Sequence, residues 1–452
     1  MHITFLGATE TVTGSKYLIE ENNKNFLVDC GLFQGLKELR LRNWSRFPLN
    51  PAKIEAVILT HAHIDHSGYL PVLVNGGFKG DIYCTSATYD LCKILLPDSA
   101  KLQEEEAEYA NKKGYSKHKP ALPLYTVDDA EKALKYFKVI PYHKEVELLK
   151  DLRFELIPSG HIIGSAFVKL RNHKISVLFS GDLGRQEDLI MKTPEVIKHA
   201  DYLVLESTYG DRNHDATNPL GEMEKIINET KKNNGVVIIP AFSVGRTQEV
   251  LYSICLLKKQ KKIKDIPVYL NSPMSISATD IYCKHHNEHK LSSNQCEDMC
   301  STATYITSVE ESKALNNKTG PMIIISASGM ATGGRVLHHI MRFAPDPNNA
   351  ILFTGYQAAG TRGDRLIKGE KILKMFGQYI PINSKVYIIE SFSAHADQAE
   401  ILNWVKNFSS PPKMTFITHG EPTPANTLKI LLKQKLKWNT KVPRYMEKME
   451  LI

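Results

Sequence analysis

The stretch "THAHIDHSG", positions 60 to 68, sets three histidines and an aspartate within six positions, directly after an apolar run. His61 and His63 are two apart, and in extended backbone both project to one side. Asp65 and His66 are adjacent, so a turn there aims them at a second point close by. Imidazole mixed with carboxylate is a donor set for zinc, with manganese or iron also compatible. Four donors with two directions suit two neighbouring ions better than one. A lone histidine would be read as a surface residue; this spacing at the end of a strand is not.

The same device recurs along the chain. His161 follows the run "FELIPSG", Asp182 follows "SVLFSG" and His419 follows "TFIT". These three complete two coordination spheres and leave one carboxylate to bridge them. A pair of ions so held can activate water and neutralise charge in a hydrolytic displacement.

The elements that must position these groups are short apolar or β-branched runs, each ending in a polar or glycine-rich loop. "NFLVDCG", "AVILTHAH", "FELIPSGH", "SVLFSGDLG" and "YLVLESTYG" occupy the first half. "GVVIIPAFSVGR", "PMIIISASGMATGG", "KVYIIESFSAH" and "KMTFITHGE" follow. Such runs, bounded by Gly, Pro, Ser and Asp, read as buried strands. The one before the first histidine is placed at residues 56 to 60. Helical stretches such as "TQEVLYSICLLKKQKK" and "QAEILNWVKNF" separate many of them. The fold class is therefore α/β, or mixed α+β, with function at strand ends.

With 452 residues the chain exceeds one ordinary domain. Lys plus Arg number 57 against 49 Asp plus Glu, a mild basic excess that permits an anionic partner without demanding one. Seven cysteines, an odd and scattered set, do not read as a disulfide framework. No leader-like start and no membrane-length apolar run is present, so a cytoplasmic, reduced enzyme with no membrane partner is the simplest expectation. The stretch "KLQEEEAEYANKKGYSKHKP" (101–120) reads as a solvated helix leading into a loop, and "KKQKKIK" (258–264) as a solvated helix end.

"HAHIDH", "SGHIIGS" and "SGDLGR", in that order, resemble the metal-binding series of the metallo-β-lactamase fold hydrolases. That resemblance implies an αββα sandwich with a dinuclear site at one edge. It implies that His61, His63 and His161 hold a first zinc ion and Asp65, His66 and His419 a second, with Asp182 bridging. Asp29, which ends the run "NFLVD", matches the fold's early aspartate, a carboxylate that steadies the metal loop; a plain turn residue is the alternative there.

The chain runs on for about two hundred residues between its second carboxylate ligand and its last histidine, far beyond a minimal hydrolase domain. Within that stretch "LESTYGDR", "PAFSVGRTQE", "SASGMATGGR", "GYQAAGTRGDRL", "SFSAHAD" and "THGEP" resemble the β-CASP nucleases in order and spacing. The likeness covers nearly the whole chain. It implies a metallo-β-lactamase domain in two parts, 1–207 and 384–452, around an inserted α/β β-CASP domain, 208–383. Glu206, His395 and His419 match the family's motifs A, B and C, and a histidine at motif C accompanies RNA-directed members. The resemblance implies a metal-dependent ribonuclease, in endo- or 5′→3′ exonucleolytic mode, leaving 5′-phosphate and 3′-hydroxyl ends. Asp65, Asp182, Glu206 and His395 are then the catalytic candidates, His395 assisting the leaving oxygen and Glu206 orienting it. The partner is RNA; a homodimer is left open.

The loops of the insertion fit a polyanion. Ser243, Gly245, Arg246 and Thr247 lead from a strand into a helix start, as do Ser328, Gly333, Gly334 and Arg335. Backbone N–H groups at helix starts beside an arginine form anion sites. Thr361, Arg362 and Arg365 in "GTRGDR" extend the set towards a track for successive phosphates, although Asp364 stands where the family usually has a basic residue. Rival expectations are a small-molecule ester or thioester hydrolase of the same fold, a non-catalytic RNA-binding scaffold and a DNA nuclease. A further cluster, Cys283, His285, His286, His289, Cys296 and Cys300, has ligand-type residues without standard finger spacing and reads as a surface helix rather than a structural zinc site.

Overall fold

The computed structural model describes residues 1–114, 116–214, 218–264 and 266–452. Two compact units form, Met1–Asn213 with His395–Ile452, and His214–Ala394. Both junctions lie later than the 207/208 and 383/384 boundaries read from sequence. Ser207 stays with the first unit because its N–H donates to the His419 carbonyl at 3.1 Å. The strand Lys385–Ile388 pairs in parallel with Ala350–Phe353 and so completes the second unit's sheet.

The first unit is built on two seven-stranded sheets. One is centred on Tyr17–Glu21, Lys24–Val28 and Ile54–Ile58, the other on Tyr202–Glu206, Ser176–Phe179 and Ala166–Arg171. Alternation along these strands sends one side chain in two towards the facing sheet. Phe5, Tyr17, Ile19, Phe26 and Ile58 thus meet Phe154, Val168, Phe179, Val204 and Phe416 in one buried cluster. Phe5 and Phe416 meet across it, tilted at 55° with ring centroids 5.1 Å apart. Burying each such ring is worth roughly 1.5–3 kcal/mol. The outer face of the second sheet is covered by Ile401, Trp404 and Val405 of the helix Gln398–Val405 and by Leu428 and Leu432 of Pro422–Leu436. The long helix Ser86–Lys113 covers the "KLQEEEAEYANKK" stretch and stops at Gly114, whose φ of 66° glycine adopts without the strain a Cβ would bring.

Strand direction decides where the loops gather. Lys24–Val28 and Ile54–Ile58 are parallel, as are Ser176–Phe179, Tyr202–Glu206 and Met414–Thr418. Leu152–Pro158 is antiparallel to Ala166–Arg171, which is antiparallel to Ser176–Phe179, so it shares their direction. Their C-terminal ends all open on one edge of the sandwich.

The second unit carries a six-stranded parallel sheet in which Met322–Ser326, Val236–Pro240 and Ala350–Phe353 are neighbours. These strands are apolar on both faces, as a covered parallel sheet requires.

Candidate metal centre

The first strand ends at Ile58, two residues earlier than expected, and Leu59 and Thr60 carry the chain to His61. His63 then caps a short helix, Ile64–Ser67, which turns Asp65 and His66 away from the first pair. Neighbouring backbone clamps this loop on two sides: Cys30 N–H donates to the His66 carbonyl at 2.7 Å and Ser15 N–H to the Asp65 carbonyl at 2.8 Å. Gly31 is obligatory there, since a Cβ would lie 1.6 Å from the Asp65 carbonyl oxygen.

The six strand ends bring the expected side chains together in two groups. Donor atoms of His61, His63, His161 and Asp182 lie within 4.8 Å of one another, as do those of Asp65, His66 and His419. His63 Nδ1 is 3.0 Å from His61 Nε2 and 3.2 Å from His161 Nε2, and both Nε2 atoms are 3.3 Å from Asp182 Oδ2. In the second group His419 Nε2 is 3.2 Å from His66 Nε2 and 3.3 Å from Asp65 Oδ2. Asp182 Oδ1 is 3.2 Å from His66 Nε2, so this one carboxylate faces both groups. A four-coordinate zinc with bonds of ~2.0–2.1 Å has ligand–ligand edges of roughly 3.3–3.4 Å, close to these separations. Asp182 Oδ1 is buried and accepts no hydrogen bond, which a cation would satisfy. The residues present therefore fit bound metal.

The electrostatics agree. Burial lowers His61 to about 3 and His63 to about 4 and holds His161 well below its ordinary value, so all three are neutral imidazoles, the form that ligates. Burial also works against charge on Asp65, but the His419 hydrogen bond and the His66 charge outweigh it and keep the carboxyl below its usual range. Burial opposes charge on His66 too, yet Asp182 and Asp29 overcome it and raise its pKa well above the ordinary value. A proton on His66 thus answers a surplus of buried carboxylates, a role that bound cations can take over.

Around the donors stands a supporting shell. Asp29, fully buried with φ 59°, accepts from Thr60 N–H at 2.8 Å and from the Thr60 hydroxyl. Its Oδ2 lies 2.8 Å from His66 Nδ1, which turns His66 Nε2 towards the centre. Thr60 Oγ1 is 3.0 Å from His61 Nδ1 and so touches both groups. Glu206 is buried, accepting from Leu183 N–H and from the Thr208 hydroxyl, each at 2.6 Å, and facing His395 Nδ1 at 3.1 Å. His395 Nε2 lies 4.0 Å from Asp182 Oδ2. Burial lowers the His395 pKa, but Glu206 and then Asp182 outweigh it and raise it to about 9. Ala396 N–H bonds to the Leu183 carbonyl at 2.8 Å, and Asp397 with Glu400 forms a capping box on the next helix, fixing the entry of His395. Thr60, Thr208 and Ser15, whose hydroxyl is 3.3 Å from His66 Nε2, went unnoticed in sequence, although Thr60 and Thr208 sit inside the quoted motifs.

Within the second unit, the three expected loops leave the C-terminal ends of adjacent parallel strands. Gly245 (φ 81°) and Gly334 (φ 75°) turn the chain into the helices Arg246–Lys259 and Arg335–Phe343. The arginines, expected to face a ligand, instead have internal partners. Arg246 is buried and paired with Glu249; Arg365 pairs with Glu370. Arg335 donates to Asn271 Oδ1 at 2.8 Å and to the Thr307 carbonyl at 2.9 Å, and Arg362 to the Thr332 carbonyl at 2.9 Å. Buried or loop-bound guanidinium seeks the nearest acceptor, so these groups brace the loops. Thr361 caps its helix by accepting from Asp364 N–H, Ser328 bonds Thr332, the Ser243 carbonyl accepts from Gln248, and the Thr247 hydroxyl donates to Phe242. Gly333 has open space about it.

In the cysteine–histidine cluster, Cys283 and Cys300 lie 3.6 Å apart between sulfurs as free thiols. His289 Nδ1 accepts from Leu291 N–H, which leaves Nε2 protonated and donating to the Tyr282 carbonyl at 3.0 Å. That histidine is spent on structure, and it and Cys296 are buried rather than displayed on a surface helix. Among the described residues no helix is long and apolar enough to cross a membrane.

Comparison with known proteins matches the whole design. Residues 11–226 fit the metallo-beta-lactamase superfamily, 247–366 the Beta-Casp domain and 379–443 the Zn-dependent metallo-hydrolase RNA specificity domain. Ribonuclease TTHA0252 of Thermus thermophilus is 34% identical over 428 residues, 93% of each chain. An RNase J-like protein of Methanocaldococcus jannaschii is 31% identical, covering 98% of this chain and 97% of its own. Transcription termination factor FttA of Methanosarcina mazei is 31% identical over all of this chain and 72% of its own. A solved Enterococcus faecalis protein of unknown function shares the fold, with a TM-score of 0.55 at 12% identity, covering 100% of this chain and 99% of its own. With its strand-end histidines and carboxylates, its inserted parallel sheet and two relatives above 30% identity matched over more than nine-tenths of both chains, the chain belongs to the β-CASP family of the metallo-β-lactamase superfamily.

Proposed function

We propose that this protein is a metal-dependent ribonuclease that hydrolyses RNA phosphodiester bonds in RNA processing or decay. The observation that carries the reading is Asp182, a single buried carboxylate facing two imidazole-rich donor groups, with His395 beside it. His61, His63 and His161 would hold one zinc and Asp65, His66 and His419 the other, with Asp182 between them. Such a pair supplies Lewis-acid neutralisation of the phosphate and lowers the pKa of water.

The protein's own groups do the rest. Asp29 and Thr60 fix the ring orientation of His66 and His61, so that the ligating nitrogens face inwards. Glu206 holds the proton-bearing Nδ1 of His395, and Nε2, on the Asp182 side, is the atom that delivers a proton to the departing 3′ oxygen. General acid help of this kind is worth roughly 10²–10⁴ in rate. The glycine-rich loops that precede Arg246 and Arg335 in the second unit are the proposed phosphate contacts there. RNA rather than DNA is supported by His419 at motif C and by relatives named as ribonucleases. We assign the protein to the cytoplasm, in keeping with seven free thiols.

The test is an end-labelled, structured RNA incubated with the purified protein, with and without chelator, beside DNA and a generic ester. Asp182→Ala should abolish RNA cleavage. Wild-type cleavage by metal-replete Asp182→Ala protein, or preference for the ester over RNA, would overturn the reading.

A further inference from the structure

The segment from Phe33 to Phe47 leaves the metal loop and forms a basic, aromatic surface. It starts at Cys30 and Leu32, whose N–H groups bond to the carbonyls of His66 and Ile64. Gln34 N–H donates to Thr13 Oγ1 at 3.2 Å, in the loop whose Ala8 carbonyl accepts from His419 N–H at 2.7 Å. The segment is thus tied by hydrogen bonds to the loops on both sides of the second donor group. Lys37, Arg40, Arg42 and Arg46 stand against a single acid, Glu38. None of the four forms an ion pair among the described residues, and Lys37, Arg40 and Arg46 are exposed.

Among these cations sit apolar side chains that have no reason to face water. Trp44 is 59% exposed, Leu41 55% and Leu36 44%. The platform beneath them is braced by hydrogen bonds. Asn43 is buried and bonds back to Phe33 twice, donating at 2.8 Å and accepting at 2.9 Å. Arg42 packs its guanidinium 4.4 Å above the Tyr445 ring, which is itself part of this rim. An exposed indole in a segment with unpaired guanidinium groups matches a nucleobase between phosphates. A second copy of the same surface is a poor occupant, because an isologous contact would set four cations against four.

We propose that Trp44, with Arg40, Arg46 and Lys37, is a stacking platform for single-stranded RNA adjoining the scissile phosphate. Trp44 receives one base of the substrate strand and the cations receive the phosphates on either side. The proposal rests on the ribonuclease reading above and adds to it a second contact region, in the first unit.

The molecule supplies its own reporter. Of the three tryptophans, Trp404 and Trp438 are buried, 3% and 5% exposed, so a base stacking on the surface quenches Trp44 alone. Full-length protein is freed of metal with chelator and titrated with a labelled single-stranded oligoribonucleotide of about a dozen nucleotides. Intrinsic emission should fall on binding, and Trp44→Ala should weaken affinity about tenfold at unchanged Tm. Trp44→Phe keeps a ring to stack on, so it should retain affinity while losing the quench. The Arg40→Glu, Arg46→Glu pair should weaken binding and flatten its salt dependence. Wild-type affinity in Trp44→Ala, in a preparation whose parent binds and cleaves RNA, would overturn this inference and leave the ribonuclease reading standing. A parent that neither binds nor cleaves RNA would remove both. Sedimentation showing that Trp44→Ala splits a dimer without changing RNA affinity would reassign the surface to self-association and overturn the proposal.

Discussion

Replacing Asp29 by asparagine tests how far the metal centre depends on a residue that touches no metal. The change is nearly isosteric, so the strand end and its φ of 59° are kept. The amide oxygen can still accept from Thr60 N–H, as Oδ1 does now at 2.8 Å. The other limb is altered. Oδ2 now faces His66 Nδ1 at 2.8 Å, and an –NH₂ there demands an acceptor. His66 then carries its proton on Nε2, the atom that lies 3.2 Å from both His419 Nε2 and Asp182 Oδ1. A protonated nitrogen cannot ligate. Loss of such an orienting partner typically costs 10–100-fold in metal affinity, about 1.4–2.8 kcal/mol. The fold should suffer separately, through one charge-assisted hydrogen bond worth ~1.5–3 kcal/mol. Competition with a chromophoric chelator measures the first effect and thermal unfolding of metal-free protein the second. Metal affinity of Asp29→Asn within about twofold of the parent would refute the orienting role and return Asp29 to a turn residue.

Two further outcomes follow from the same geometry. His395→Ala should slow RNA cleavage by roughly 10²–10⁴ while bound metal stays at the parent level; loss of metal instead would make His395 a ligand. Lys16 is buried, its ammonium between the rings of Phe33 and Tyr69 at 4.6 and 4.7 Å, and burial lowers its pKa from 10.5 to about 8. The folded state therefore binds fewer protons than the unfolded chain between pH 8 and 10.5, and the penalty is complete below pH 8. Lys16→Met should stabilise the protein near pH 7, by at most about 3 kcal/mol before the lost cation–π contacts are counted. That gain should shrink as pH rises towards 10.5, and denaturant melts at both ends of the range would expose a gain that does not.

The chemistry of the site was legible because it is written in contiguous motifs. A strand end followed by His61, His63, Asp65 and His66 announces metal ligation whatever the rest of the chain does, since no packing need explains that many donors in one turn. His161, Asp182 and His419 could be added because each follows the same apolar run. Strand polarity then makes their meeting intelligible: parallel strands end on one edge. What tertiary structure alone decided is which atoms face which. That Thr60 and Thr208 tie the supporting hydrogen bonds together, and that Arg335 and Arg362 are claimed by internal acceptors, depends on segments remote in sequence. A motif states which functional groups a loop carries; a side chain's partner is set by whatever the fold brings within about 3 Å, and that distance is not encoded locally.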